Sequence, residues 1–498
     1  MCHPSRLFAL ALFGLAGLLA HAAVITVGPT GDYATIGEAI TNAADGDEIQ
    51  IAAGSYDEAL EISGRQDLTL KGDPGGGTII AIGAGTAANQ GVLINGSTGI
   101  VLQDLTIDMT ADNGVEYRAA IQAMEKSTFT ANNVSMTGGG RNVSLWRGAE
   151  AELIDCELTN VSRSGGNGGG IEIGSDEDYT TNTAMYTTVE ATGCLFQHTE
   201  YPVYINPFAT LGNTVARTRV GSLTFRDCEF DSNGGASNIT MRFMTGQWEP
   251  GSEVLFEDCK FSNWAGYNFH MDGFPMPTQA PEHVTFRRCE MIKLDASTSN
   301  AALYCNYACP IILENTAIAT WQSEVIYLGA RNEGLTVTHC TLANVNPVVI
   351  AARAMNATVD AVVRNSIIAV RTTTPNRPPL TGYNEGTPLH FDLDYTISNS
   401  LRDDDDGIQE TVTTPPTLGA NYVWNNTDEN YANFINWAHP ATDMQLGDPS
   451  PALGAGADLG YTDDVLGKSR PNPAATNPDL GAYESYLVPA ELSEFQFD

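Results

Sequence analysis

Positive charge is scarce in this chain. Its 498 residues carry 24 lysines and arginines against 60 aspartates and glutamates, a formal net charge of −36. Binding to phosphate backbones or anionic lipid requires a basic stripe or patch. None is present, so nucleic acid and membrane surfaces are excluded as partners. Long apolar runs are scarce too: after residue 22 no stretch approaches the roughly 18 apolar residues of a helical membrane span. Glycines cluster at Gly138-Gly139-Gly140 and again within 165–170. Without a strand–loop–helix context they do not read as phosphate-binding loops.

Hydrophobic residues nevertheless reach 42% of the chain, enough for a long core. Arg6, the apolar residues 7–20 and the small-x-small site Ala20-His21-Ala22 read as a secretory signal. The expectation is a mature chain beginning near Ala23, exported to the extracellular space or periplasm. The length would allow two or three average domains, but a repeat architecture can absorb it as one.

A repeat is present. Two short runs of alternating apolar residues meet at a two-residue bend, as in Leu153-Ile154-Asp155-Cys156-Glu157-Leu158 and Phe225-Arg226-Asp227-Cys228-Glu229-Phe230. Further copies include Phe256-Glu257-Asp258-Cys259-Lys260-Phe261, Phe286-Arg287-Arg288-Cys289-Glu290-Met291 and Val363-Arg364-Asn365-Ser366-Ile367-Ile368. Ten copies centre on 105, 133, 156, 194, 228, 259, 289, 316, 340 and 366. The period of two on each side of the bend means strands, not helix. Asp or Asn occupies the bend in seven copies, at Asp104, Asn132, Asp155, Asp227, Asp258, Asn315 and Asn365. Those side chains tolerate the left-handed backbone such a corner demands. Stacking the copies puts Cys156, Cys194, Cys228, Cys259, Cys289 and Cys340 in one inward row, which predicts thiols filling a core rather than a disulfide framework. Cys305 and Cys309 are close enough in sequence to pair with each other.

The repeat resembles the strand–asparagine turn–strand of the pectate-lyase-like right-handed parallel β-helices. Asp32-Tyr33-Ala34-Thr35-Ile36-Gly37-Glu38-Ala39-Ile40, followed by Gly46-Asp47-Glu48-Ile49-Gln50-Ile51, is similar to the capping helix and first coil of that superfamily. Ser450-Pro451-Ala452-Leu453-Gly454-Ala455-Gly456 and Asp479-Leu480-Gly481-Ala482-Tyr483-Glu484 resemble its closing segment. The resemblance implies an all-β solenoid of about 10–12 coils with a short N-terminal capping helix. Residues 1–22 are then the signal and 23–370 the β-helix, with 371–498 as the C-terminal end, capping and loop region of the same domain. Architecture of this kind does not by itself fix activity.

After each copy comes one more short strand, for example Ile171-Glu172-Ile173, Val203-Tyr204-Ile205, Phe269-His270-Met271 and Leu303-Tyr304-Cys305. With the apolar members inward, the outward row reads Ser144, Glu172, Tyr204, Thr240, His270, Tyr304, Tyr327, and the next reads Trp146, Gly174, Asn206, Arg242, Asp272, Asn306, Gly329. The resemblance places catalytic groups on this sheet. For β-elimination from a uronate, Arg242 would neutralise the carboxylate, His270 or Tyr204 would take the proton, and Tyr304 or Tyr204 would protonate the leaving oxygen. Trp146, Asn206, Asp272 and Asn306 are the substrate-binding candidates. Glu172, Asp176 and Asp178 supply hard oxygen ligands suited to Ca²⁺.

The expected function is a secreted, monomeric, carbohydrate-active protein that binds an acidic polysaccharide and cleaves it by β-elimination. A non-catalytic adhesion or scaffold β-helix and a glycoside hydrolase are the rivals. A hydrolase needs two carboxyl groups about 5–9.5 Å apart. Glu172 and Asp272 lie three coils apart, roughly 14 Å at the β spacing. The superfamily's polygalacturonase pattern is missing: Asn426-Thr427-Asp428 falls beyond the repeats and no Gly-His-Gly exists. The Arg-x-Pro-x-x-Arg of typical pectate lyases is absent as well.

Overall fold

The computed structural model describes residues 22–485 except 84–89, 113–117, 160–168, 175–184, 198–200, 206–209, 212–213, 216–218, 233–236, 244–246, 265, 274–279, 294–299, 307–308, 322–323, 330–332, 346–347, 353–358, 371–378, 383–388, 400–416, 426–429, 436–443 and 475. Alternating sequences with no helical period can bury one face only by pairing as strands. Here each coil pairs with the equivalent coil before and after it. The result is a right-handed parallel β-helix.

One strand per coil builds a twelve-stranded parallel sheet whose spatial order follows the chain. Its strands are β1 (Leu60–Ser63), β2 (Gln90–Asn95), β3 (Ala119–Met124), β4 (Arg141–Trp146), β5 (Gly169–Gly174) and β6 (Tyr201–Ile205). They continue as β7 (Ser237–Phe243), β8 (Tyr267–Gly273), β9 (Leu303–Asn306), β10 (Ile326–Leu328), β11 (Ile350–Ala352) and β12 (Leu380–Gly382). The bent strand pairs of the repeat form the other wall, a 26-stranded sheet. At the N-terminal mouth a helix, α1 (Ile36–Asn42), lays Ile36, Ala39 and Ile40 against the first coils. Thr35 caps it, its hydroxyl accepting from the Glu38 N–H at 3.2 Å.

The bends are left-handed at Asp104, Asn133, Asp155, Asp227, Asp258, Arg288, Asn315, His339, Asn365 and Tyr395, with φ between 46° and 56°. One expectation is corrected: the register pairs Asn132 with Gln103 and Val134 with Leu105, so Asn133, not Asn132, turns the corner. Arg288, His339 and Tyr395 do so without an Asn or Asp side chain, held by neighbours instead. Arg288 donates to both carboxylate oxygens of Asp258, at 2.6 and 2.7 Å. The corner before Cys194 is Gly193 (φ 68°), where a Cβ would collide with the Asp155 carboxylate.

The residue after each bend points inward. There the six expected cysteines are all buried as free thiols. Each donates to a carbonyl of its own bend, as Cys259 does to Glu257 at 3.3 Å. Thr316, Ser366 and Thr396 take the same position and the same bond, at 2.7–3.0 Å. Behind this row two phenylalanine columns fill the core. Phe225, Phe256 and Phe286 stack at 5.1 and 4.9 Å, and Phe196, Phe230 and Phe261 at 4.8 Å each. Trp248 and Trp264 are buried too and unavailable for stacking on sugar.

The repeat fades from the sequence near residue 371, yet parallel pairing persists through Leu389–Asn399 and Tyr422–Asn425. The chain then returns along the bends. Leu480, Ala482 and Tyr483 cover an outer apolar patch containing Ala317, Ala343, Ile367 and Ile397. Asn365 exchanges two hydrogen bonds with Ala457, and the phenols of Tyr461 and Tyr483 donate to Glu314 and Glu290. Beneath them Arg470, buried with Glu484, Asp479 and Asp464, faces the ring of His339. Desolvation and the Arg470 charge lower the His339 pKa to about 2, so its ring is neutral.

Candidate functional site

On the twelve-stranded sheet the inward members Ile171, Ile173, Val203, Ile205, Phe269, Met271, Leu303 and Cys305 belong to the main core. The residues between them therefore share the outward face. Register confirms the row: Gln122, Ser144, Glu172, Tyr204, Thr240, His270, Tyr304 and Tyr327 are paired coil to coil. In the adjacent row Trp146 pairs with Gly174, and Arg242 with Asp272 and then Asn306.

The expectation that this row faces water is corrected. Glu172 is 1% exposed, Tyr204 3% and His270 9%; Ser144 is fully buried, and among the row's described side chains only Tyr304 and Tyr327 are half-exposed. The physical reason is a second set of outward side chains at the strand entrances. Arg141, Tyr201 and Tyr267 sit three residues before Ser144, Tyr204 and His270. Tyr201 and Tyr267 stack on the row and Arg141 pairs with Glu172, so strict period-two alternation does not hold at these strand starts.

Three clusters result. Arg141 forms a buried ion pair with Glu172, so this carboxylate is engaged by a guanidinium. Gln122 accepts from the Gln90 amide nearby, and Arg118, also buried, precedes β3. Asp176 and Asp178 lie outside the described residues, and among the described residues no group of three acids, histidines or cysteines could hold a metal ion.

The second cluster is Tyr204 stacked on Tyr201, with centroids 5.3 Å apart. The third is the tightest. His270 stacks on Tyr267 at 4.4 Å and meets Tyr304 edge-on at 5.2 Å, while Tyr267 and Tyr304 are 5.0 Å apart. Tyr304 in turn lies parallel to Tyr327 at 5.0 Å. Rings stacked on one another along the helix axis offer a ligand their edges and polar atoms, not their faces.

Of the remaining candidates, Trp146 is half-exposed and packs beside Gly174. Asn306 is half-exposed and lies over Gly329, where a Cβ would overlap its carboxamide. The backbones of Arg242 and Asp272 are fixed by β7 and β8; their side chains, and Asn206 altogether, lie outside the described residues. Arg118, Arg141, Tyr201 and Tyr267 were not anticipated. Their signal was a large polar or aromatic residue at or just before the start of each strand.

No protein-family model matches the chain, and no curated protein does. Among solved structures it is similar to a pectin methylesterase from carrot (15% identity over 54% of this chain and 82% of that one, TM-score 0.30). It is also similar to pectate lyase Pel9A (11% identity, 93% and 96% covered, TM-score 0.31) and to a GH136 lacto-N-biosidase from Eubacterium ramulus (10% identity, 81% and 67% covered, TM-score 0.32). These neighbours are β-helix enzymes, as the coil geometry of this chain leads one to expect.

Proposed function

We propose that this chain is a secreted carbohydrate-active β-helix protein that binds an acidic polysaccharide on the outward face of the twelve-stranded sheet and cleaves it by β-elimination. The observation that carries the reading is the convergence of His270 with Tyr267 and Tyr304, one coil from the strand position of Arg242. In this scheme Arg242 neutralises the uronate carboxylate and acidifies the adjacent C–H. His270 removes that proton, Tyr304 protonates the departing glycosidic oxygen, and an unsaturated uronate remains. Tyr204, sealed against Tyr201 two coils away, positions substrate instead. The enclosed setting favours this chemistry, because fixed dipoles act more strongly where water is excluded.

A non-catalytic scaffold is the second reading, favoured by the near-complete burial of Ser144, Glu172 and Tyr204. Uronate polysaccharides, tested with and without added Ca²⁺ and followed by the ultraviolet absorbance of the unsaturated product, separate the two. On the lyase reading, His270→Ala and Tyr304→Phe each lower turnover by about 10²–10⁴-fold with binding retained. No turnover on any member, with His270→Ala indistinguishable from the parent in glycan binding, establishes the scaffold.

A further inference from the structure

We propose that a cavity at the N-terminal mouth of the solenoid is a second saccharide site, which holds a uronate residue through Lys71 and anchors the polysaccharide away from the twelve-stranded sheet. The proposal takes from the reading above only the class of ligand, a uronate, and none of its chemistry. The cavity measures about 540 Å³, within the range of small-ligand sites. It opens on the bent-strand wall, between the loop 28–31 on one side and Gly72, Asp73 and Pro74 on the other, with Gln50 and Lys71 between them.

Both rims are fixed by hydrogen bonds within the chain. The Asp32 carboxylate accepts from the Thr26 N–H at 2.9 Å and from its hydroxyl at 2.8 Å. The Tyr33 N–H donates to the Thr26 carbonyl at 3.1 Å, which folds 28–31 back against the first strand, Val24–Val27. On the opposite rim the Asp73 N–H donates to the Thr78 hydroxyl at 2.9 Å, and the Asp73 carboxylate accepts from the Gly75 N–H at 3.1 Å. Pro29 and Pro74 stiffen the two rims, each by fixing its own φ. A site held in this way loses little entropy when a ligand enters.

Lys71 gives the cavity its sign. It is one of only five lysines in a chain of 60 acids. Its register partners on the sheet are Gln50 and Gln103, amides and not carboxylates. Among the described residues it makes no ion pair or hydrogen bond, even with Asp73 two residues away. An ammonium and a carboxylate that share a cavity without pairing call for a ligand that complements both. A uronate residue does so. Its carboxylate accepts from Lys71, its ring hydroxyls donate to Asp73, and the Gln50 carboxamide and Thr30 hydroxyl serve as either partner. A neutral sugar leaves the ammonium uncompensated, and an anion without hydroxyls meets the Asp73 charge with nothing to donate.

The test labels the full chain with an amine-acetylating reagent and maps the lysines by peptide mass spectrometry. Sodium galacturonate, a monomer with no glycosidic bond to cleave, is the probe, and galactose is its neutral counterpart. The expected result is that acetylation of Lys71 slows severalfold as galacturonate saturates, while the exposed Lys126 and Lys260 react as before and galactose protects nothing. Lys71→Met should weaken retention of a uronate polymer by roughly tenfold at the parent's melting temperature. Acetylation of Lys71 that galacturonate leaves unchanged, or that galactose slows equally, overturns the proposal. Protection of Lys71 without turnover of any polymer upholds this site and removes the lyase reading; turnover with Lys71 unprotected does the reverse.

Discussion

At the scale of single residues, the position after each bend shows how chemistry and packing are matched. A small side chain with one weak donor can fill the corner and satisfy a carbonyl that the bend leaves facing inward. Cysteine, threonine and serine all meet that requirement, and all three occur there. Replacing Cys259 by Ser should cost less than about 1 kcal/mol, because the hydroxyl inherits the bonds to Phe225 and Glu257. Cys259→Leu overpacks the corner and should cost about 1–3 kcal/mol. Denaturant midpoints at unchanged slope distinguish the two. His339 provides a pH test. Its folded pKa lies below the ordinary value of 6.5, so only the unfolded chain takes up this proton as pH falls through 6.5. Stability is full above that value and declines below it, by up to roughly 1.4 kcal/mol per pH unit. Burial raises the pKa values of Asp479 and Glu484, which act in the opposite sense once pH reaches their own range. Between 6.5 and the carboxylate range the His339 slope should dominate, and His339→Asn, which keeps the left-handed corner, should flatten it in thermal melts.

At the scale of strands and bends, most of what positions the fold could be read from the sequence. The inward rows, the thiol column and the coil-to-coil partners of Glu172, Tyr204 and His270 follow from a period of two. What could not be read shares one cause, a local departure from that period. Asn133 rather than Asn132 turns its corner because the register slips by one relative to the apparent repeat. Arg141, Tyr201 and Tyr267 overlie the outward row from three residues ahead of Ser144, Tyr204 and His270. Strict alternation would have placed them inside. The phenylalanine columns are the element on which lateral order depends most. Phe256 contacts rings on both neighbouring coils, so Phe256→Ala should cost about 3–5 kcal/mol. On the outside, Arg226, Glu257, Arg287 and Glu314 alternate in sign on successive coils. Glu314 raises the pKa of Arg287. Being partly exposed, each pair contributes at most about 1 kcal/mol.

Across the whole molecule, a solenoid sums nearest-neighbour terms and needs its ends and exposed faces covered. Here α1 closes one end, and the returning C-terminal segment covers the bends of the later coils. The net charge of −36 opposes this compactness through self-repulsion. Moderate salt screens that repulsion over about 8–10 Å, so the melting temperature should rise between low and physiological ionic strength. The central claim concerns which face receives the ligand. Co-crystallisation with a uronate oligosaccharide tests it most directly. The account predicts sugar along β6 to β10, with a carboxylate near Arg242 and a glycosidic oxygen near Tyr304. Sugar bound instead in the groove on the other sheet, between Glu150, Glu152, Glu190 and Ser222, would contradict it.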